Sequence, residues 1–215
     1  MPRPALDLTL YLVTDSELCG ELGVAPTVAR AVAAGVTTVQ LRDTTCSDEE
    51  FVTLGRALRH TLRGTGVPLI LNDRVHLFHA IEADGVHVGQ RDADVRTART
   101  QIGPAPYLGL SVQTLGHLRP ALAQPRDAVD YLGVGPIWSQ ATKPDAATPS
   151  SPDVLAAIVA ASPWPCVAIG GVDPSNAAVV RHTGARGIAV VSAICGQPDV
   201  TAATRDLRQA WERAG

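Results

Sequence analysis

The chain repeats one pattern eight times: a short apolar run, a turn with polar groups or glycine, then a segment of helical spacing. "TLYLVTD" ends at Asp15, and "TVARAVAAG" follows with a glycine stop at Gly35. "TTVQLRD" leads to "SDEEFVTLGRALRHTLRGTG", where Ser47 is placed to cap a helix with early acids. "VPLILND" precedes a helix expected over 74–83, and "DGVHVG" precedes "ADVRTARTQIG". "YLGLSVQ" is followed by a helix from near Leu115. "AVDYLGVGPIW" pairs with "SPDVLAAIVAA", and "PCVAIGGV" with "DPSNAAVVRHTG". "RGIAVVSAI" is the eighth run, and a last helix is expected from about Asp199 to Arg213. A helix between consecutive strands forces a parallel sheet with right-handed crossovers. Eight such units close into a (β/α)8 TIM barrel, read here as a single domain over 1–215. The rival is a doubly wound open sheet. That fold usually carries GxGxxG after its first strand, where this chain has "TDSELCG". One connection, from Ser139 to Ser150, is longer than the others, as a lid would be.

Apolar residues make up 46% and charged residues 18%, enough for a sizeable core. Aromatics are only 4%, so Ala, Val, Leu and Gly must do most of the packing. A net charge of −3 argues against nucleic acid as a main partner but leaves room for a small anionic ligand. Cys19, Cys46, Cys166 and Cys195 show no CxxC spacing and are expected as free thiols in a reducing compartment. The N-terminus lacks the features of a signal peptide. No apolar run reaches the roughly 20 residues a bilayer requires. A cytoplasmic protein acting on small molecules, with a homodimer as its assembly, is the expectation.

Barrels of this kind gather their functional groups at the C-terminal ends of the strands. In this chain those ends carry Gln40, Arg42 and Asp43; Asn72 and Asp73; Gln90, Arg91 and Asp92; Ser111 and Gln113; Thr142 and Lys143; Gly170 and Gly171; Val191 and Ser192. Asp73 and Asp92 follow adjacent strands, and two carboxylates there make a hard oxygen site suited to Mg2+. The plainer reading is that each caps its following helix, for which Asp92 is well placed. Arg42 offers a planar fork and Lys143 a movable point charge for a diphosphate. The plainer reading of Lys143 is a solvated loop charge. Gly170 and Gly171 let backbone approach a phosphate closely, and Ser192 can add a hydroxyl. Packing explains the glycines equally well. His76 and His79 lie three apart on a helix without a third ligand. His87, inside a strand, reads as a hydrogen-bonded core residue.

Together these segments resemble the thiamine phosphate synthase family over nearly the whole chain. The likeness is carried by "YLVTD", "VQLRD", "ND" at 72–73, "DGVHVGQRD", "GLS", "GPIW" followed by "TK", "AIGG" and "VVSAI", in order on eight successive strands. It implies the (β/α)8 fold and a Mg2+-assisted dissociative reaction. Hydroxymethylpyrimidine diphosphate loses pyrophosphate, and a thiazole phosphate captures the pyrimidine cation. By resemblance, Asp73 and Asp92 hold Mg2+, while Arg42, Asn72, Ser111 and Lys143 serve catalysis. Gln40 and Ser111 line the pyrimidine and diphosphate site. Thr142, Gly171, Val191 and Ser192 lie at the thiazole phosphate.

Three departures from the family pattern stand out. Thr44 occupies the usual lysine position, Ser139 and Gln140 replace Pro-Thr in the sixth loop, and Gln113 stands where histidine is common. Two alternatives follow. One is a thiazole tautomerase, whose relatives tend to lose the Asn-Asp pair. The other is a degenerate paralogue that binds thiazole or thiamine phosphates without turnover.

Overall fold

The computed structural model describes residues 4–139 and 149–215. Thr142, Lys143 and Gln140 lie outside the described residues, as does most of the expected lid. The elements run β1 (Leu10–Val13), α1 (Ser16–Cys19), α2 (Val24–Ala34), β2 (Thr38–Leu41), α3 (Asp48–Leu62), β3 (Leu69–Asn72), α4 (Phe78–Ile81), β4 (Gly85–Val88), α5 (Val95–Ile102), β5 (Tyr107–Val112) and α6 (Leu115–Leu122). They continue with β6 (Tyr131–Val134), α7 (Pro152–Ala161), β7 (Cys166–Ile169), α8 (Ala177–His182), β8 (Gly187–Val190) and α9 (Val200–Arg213). All eight strands are parallel and close in chain order, β8 returning to β1 through Tyr11 opposite Ala189. The closed barrel excludes the open doubly wound sheet.

Local chemistry accounts for most element ends. Ser47 and Glu50 form a reciprocal capping box at the start of α3. Thr114, Ser151 and Asp199 cap α6, α7 and α9. Two expectations need correction. The cap of α5 is Asp94, which accepts from the N–H groups of Arg96 and Thr97. Asp92 therefore does not cap that helix. The helix expected over 74–83 is instead a 3-10 turn, Val75–Leu77, followed by the single turn α4. Asp73 enters this segment at φ 60° and Glu82 leaves it at φ 57°. Both are left-handed conformations that a continuing α-helix cannot contain. An extra short helix, α1, is capped by the Asp15 carboxylate on the N–H of Leu18 at 3.0 Å.

Strand residues alternate between two layers. Leu10, Leu12, Val39, Leu41, Leu69, Leu71, Val86 and Val88 face the helices and pack in the outer core. Tyr11, Val13, Ile70, Tyr131, Val167 and Ala189 fill the barrel itself. Large rings in so narrow an interior need small partners. A Cβ at Gly109 would overlap His87 Nδ1 and the Tyr131 ring and hydroxyl.

The loop after β2 is built as firmly as the strands. Asp43 accepts from the Ser16 hydroxyl, from Thr45 N–H at 2.9 Å and from Cys46 N–H at 3.1 Å. Arg74, just after β3, donates to the Cys46 carbonyl at 2.6 Å and pairs with Asp48 at 2.8 Å, its guanidinium stacked over Phe51. Arg74 thus ties the β2 and β3 loops together. Partial burial alone would raise the Asp43 pKa, but the hydrogen bonds from Ser16, Thr45 and Cys46 outweigh it and hold the carboxyl well below its usual range.

Two outcomes follow. Gly109→Ala should lower stability by about 1–3 kcal/mol through overpacking, read as a reduced melting temperature. For Asp43 the folded pKa is depressed, so its stabilisation is full at neutral pH. That stabilisation is lost as pH falls through about 4 toward the folded value. Denaturant melts should show the advantage of wild type over Asp43→Asn shrinking across that range.

Candidate active site

A cavity of about 750 Å3 opens at the C-terminal mouth of the barrel. Gln40, Arg42, Thr44, Asn72, Asp73, Gln90, Arg91, Asp92, Ser111 and Gln113 bring polar groups to it from the ends of β2 to β5. A hollow of about 630 Å3 at the opposite mouth is lined by residues such as Leu6, Thr37, Arg59 and Val67. There Arg59 is already paired with Asp84 at 2.9 Å. The rim at the strand ends is therefore the place where chemistry converges.

A chain of hydrogen bonds forms the cavity floor. Gln40 Nε2 donates to the Tyr11 hydroxyl at 2.8 Å. The Tyr11 and Tyr131 hydroxyls are 2.7 Å apart. The Tyr131 hydroxyl is 3.0 Å from His87 Nδ1, and His87 Nε2 is 2.8 Å from Ser111 Oγ. Gln40, Tyr11, Tyr131 and His87 are all buried. Burial pushes both phenols above the usual tyrosine range, so both keep their protons. The path links the end of β2 to the Ser111 hydroxyl at the cavity through four buried side chains.

Above this floor sit the charged groups. Thr14, fully buried, accepts from Arg42 N–H at 3.0 Å and donates to the Arg42 carbonyl at 3.1 Å, pinning the end of β2. The Arg42 guanidinium lies 3.8 Å from the Asp15 carboxylate, which steers it without saturating its five donors. Asn72 donates to the Asp73 carboxylate. The left-handed backbone of Asp73 is a conformation that Asp tolerates and that clusters at functional sites. Asp92 accepts from Gly89 N–H at 2.7 Å, and Gln90 donates to the Ser111 carbonyl at 2.6 Å.

Of the residues expected at the site, Gln40, Arg42, Asn72, Asp73, Asp92, Ser111 and Val191 line this cavity together. Gly171 and Ser192 are exposed on the adjoining rim, outside that lining, whereas Gly170 is within it. Gly171 turns at φ 69° beneath Trp138, and its carbonyl accepts from Asn176 at 2.8 Å. Thr142 and Lys143 fall outside the described residues. His76 is paired with Asp48 at 2.7 Å and His79 with the Gln101 carbonyl at 3.0 Å, away from the cavity. The sequence reading placed His87 correctly in the interior but gave it no part in the site. It passed over Tyr11 and Tyr131 altogether. The period-two alternation of β1, β4 and β6 was the available signal, since it turns all three side chains inward.

The arrangement gathers two arginines, two carboxylates and several neutral hydrogen-bonding side chains at one cavity. Nucleophilic catalysis has no evident agent among the described residues. Comparison with known proteins agrees with this picture. The family model described as thiamine monophosphate synthase matches residues 10–194. A thiamine-phosphate synthase of Azorhizobium caulinodans is 46% identical over 208 residues, spanning 97% of this chain and 96% of its own. A thiamine-phosphate synthase of a Psychrobacter species is 46% identical over 192 residues, 89% of this chain and 90% of its own. The solved thiamine phosphate pyrophosphorylase of Pyrococcus furiosus superposes with a TM-score of 0.85 at 33% identity, covering 97% of this chain and 98% of its own. With this extent of match in sequence and in fold, the chain belongs to the thiamine monophosphate synthase family.

Proposed function

We propose that this chain is a thiamine phosphate synthase. It joins hydroxymethylpyrimidine diphosphate to a thiazole phosphate and releases pyrophosphate, with residues 1–215 acting as one catalytic unit. The observation that carries this reading is the convergence of Arg42, Asn72, Asp73, Asp92 and Ser111 in one cavity. Such a set suits a reaction limited by the departure of a diphosphate. In that step the bond from the pyrimidine methylene to the diphosphate oxygen breaks, and its electrons leave with the diphosphate. The thiazole nitrogen then donates its lone pair to the methylene. Arg42 and Asn72 donate to the departing oxygens, Ser111 brings its hydroxyl to them, and Gln40 helps to seat the pyrimidine over the buried floor. Stabilisation of this kind needs no side-chain nucleophile. Lys143 is assigned to the diphosphate, and Thr142, Gly171, Val191 and Ser192 to the thiazole phosphate.

Mg2+ fits the donor set. Asp73 and Asp92 are hard oxygen ligands lining one cavity. No group of three or more His, Cys, Asp or Glu among the described residues could hold a metal by itself. Water and diphosphate oxygens would therefore complete the shell, as is usual for this ion. When bound, Mg2+ supplies positive charge that neutralises the leaving diphosphate. A cytoplasmic setting accords with the four cysteines, all present as thiols. The same reading carries a homodimer, with exposed Leu115 and Leu122 of α6 as surface open to a second copy.

A second reading, a thiazole tautomerase, draws support from His117. It lines the cavity and accepts from Gln113 N–H at 3.4 Å, near the place where such relatives use a histidine. Deuterium wash-in at the thiazole without pyrimidine incorporation would favour it. A binding paralogue without turnover would hold the product tightly and form none.

The purified protein should form thiamine phosphate from both substrates with Mg2+ and lose most of that activity when the ion is chelated. Complete inactivity with Mg2+ present would end the synthase reading. Arg42→Ala should weaken binding of the pyrimidine diphosphate by about 2 kcal/mol, measurable by calorimetry. Tyr131→Phe, which removes the central link of the buried path, should lower kcat.

A further inference from the structure

The described charges that line the cavity are Arg42, Asp73, Arg91 and Asp92. They cancel, so the described lining is neutral, and without Arg91 it would repel an anion. Arg42 is itself held 3.8 Å from Asp15, which offsets part of its field. Thr44, at the lip beside Arg42, contributes a hydroxyl and no charge. Arg91 differs from the arginines that staple the fold. Arg59, Arg74 and Arg99 are each spent on an aspartate and on backbone carbonyls of neighbouring loops or on one of these. Arg91 forms no hydrogen bond or ion pair with another described residue.

Its backbone, in contrast, is well held. The turn from Gly89 to Asp92 is closed by the Asp92 carboxylate on Gly89 N–H at 2.7 Å. Gln90 ties the same turn to the end of β5 through the Ser111 carbonyl at 2.6 Å. Arg91 thus stands between two anchored residues, at the mouth of the cavity and next to a carboxylate suited to Mg2+. A fixed backbone with an unpaired guanidinium at a cavity lip is a device for capturing an oxyanion, because the fork loses little order on pairing.

We propose that Arg91 is a diphosphate-binding residue of this chain, supplying from the β4 loop the second cation that Thr44 does not supply from the β2 loop. This rests on the synthase reading of the same cavity. Arg91 would grip the leaving diphosphate from the β4 loop, with two of its five N–H donors directed at non-bridging oxygens.

The test uses wild type, Arg91→Gln, Arg91→Lys and the double variant Arg91→Gln/Thr44→Lys. Calorimetry with inorganic pyrophosphate and Mg2+ reads binding without turnover, and steady-state kinetics reads the KM for the pyrimidine diphosphate. Arg91→Gln should weaken pyrophosphate binding and raise that KM roughly tenfold or more, the loss of one charge-assisted contact. Its melting temperature should be unchanged, since the side chain supports no described contact. Arg91→Lys should keep most of the affinity, and Thr44→Lys should restore it in the Arg91→Gln background. Pyrophosphate binding equal to wild type in Arg91→Gln would overturn the proposal even if the enzyme is active. Weakened binding in Arg91→Gln together with a wild type that forms no thiamine phosphate would uphold the anion contact and remove the synthase reading instead.

Discussion

Five side chains from five strands meet inside this barrel and decide what its mouth can do. Gln40, Tyr11, Tyr131, His87 and Ser111 form an unbroken path of hydrogen bonds from β2 through β1, β6 and β4 to β5. Each buried polar atom in that path would cost about 1–3 kcal/mol if left unpaired. No buried side-chain nitrogen or oxygen among the described residues lacks a partner. The path therefore selects one register and one set of rotamers across the barrel. It also ends in the Ser111 hydroxyl, which lines the cavity. The glycines of β5 and β6 belong to the same constraint, since Gly109 and Gly133 leave the space that His87 and Tyr131 occupy.

On this floor the rim is assembled from turns whose own side chains hold them. Asp43 gathers the β2 loop, Arg74 ties it to the β3 loop, and Asp92 closes the turn after β4. Arg42, Asn72 and Asp73 thus extend from backbone that is already ordered. A site built this way needs little reorganisation when charge develops on a departing group, which is where electrostatic stabilisation is most effective. The opposite mouth uses similar residues for another end. Asp84 accepts both from Arg59 and from Leu69 N–H, and Asp130 both from Arg99 and from Leu108 N–H. Those pairs lock strand starts to helices.

Much of this was legible before any coordinates. Eight apolar runs separated by helical periods specify a parallel closed sheet, and Ser47 marks the start of α3 by local hydrogen bonding alone. Helix boundaries failed where a backbone left the right-handed region, as at Asp73 and Glu82, because nothing in the residue types demanded it. Asp92 and Asp94 show the same limit. Both sit before a helix, and a shift of two positions decides which one caps it. Gly171 and Ser192, expected at the thiazole phosphate, lie exposed on the rim that adjoins the cavity. Gly171 sits beneath Trp138, and the Ser192 carbonyl accepts from Gln197.

The sequence by itself determined the eight-unit barrel, the rim on which polar residues collect and the family to which the chain belongs. These depend on periodicity and on short motifs, which act over a few residues. Only the tertiary structure decided that Tyr11, Tyr131 and His87 form the floor of the cavity, that Arg42 lies near Asp15, and that Arg91 stands at the lip without a hydrogen bond or ion pair to another described residue. Those facts join residues up to 120 positions apart. Their distances are set by barrel closure and strand register, and no local pattern encodes them.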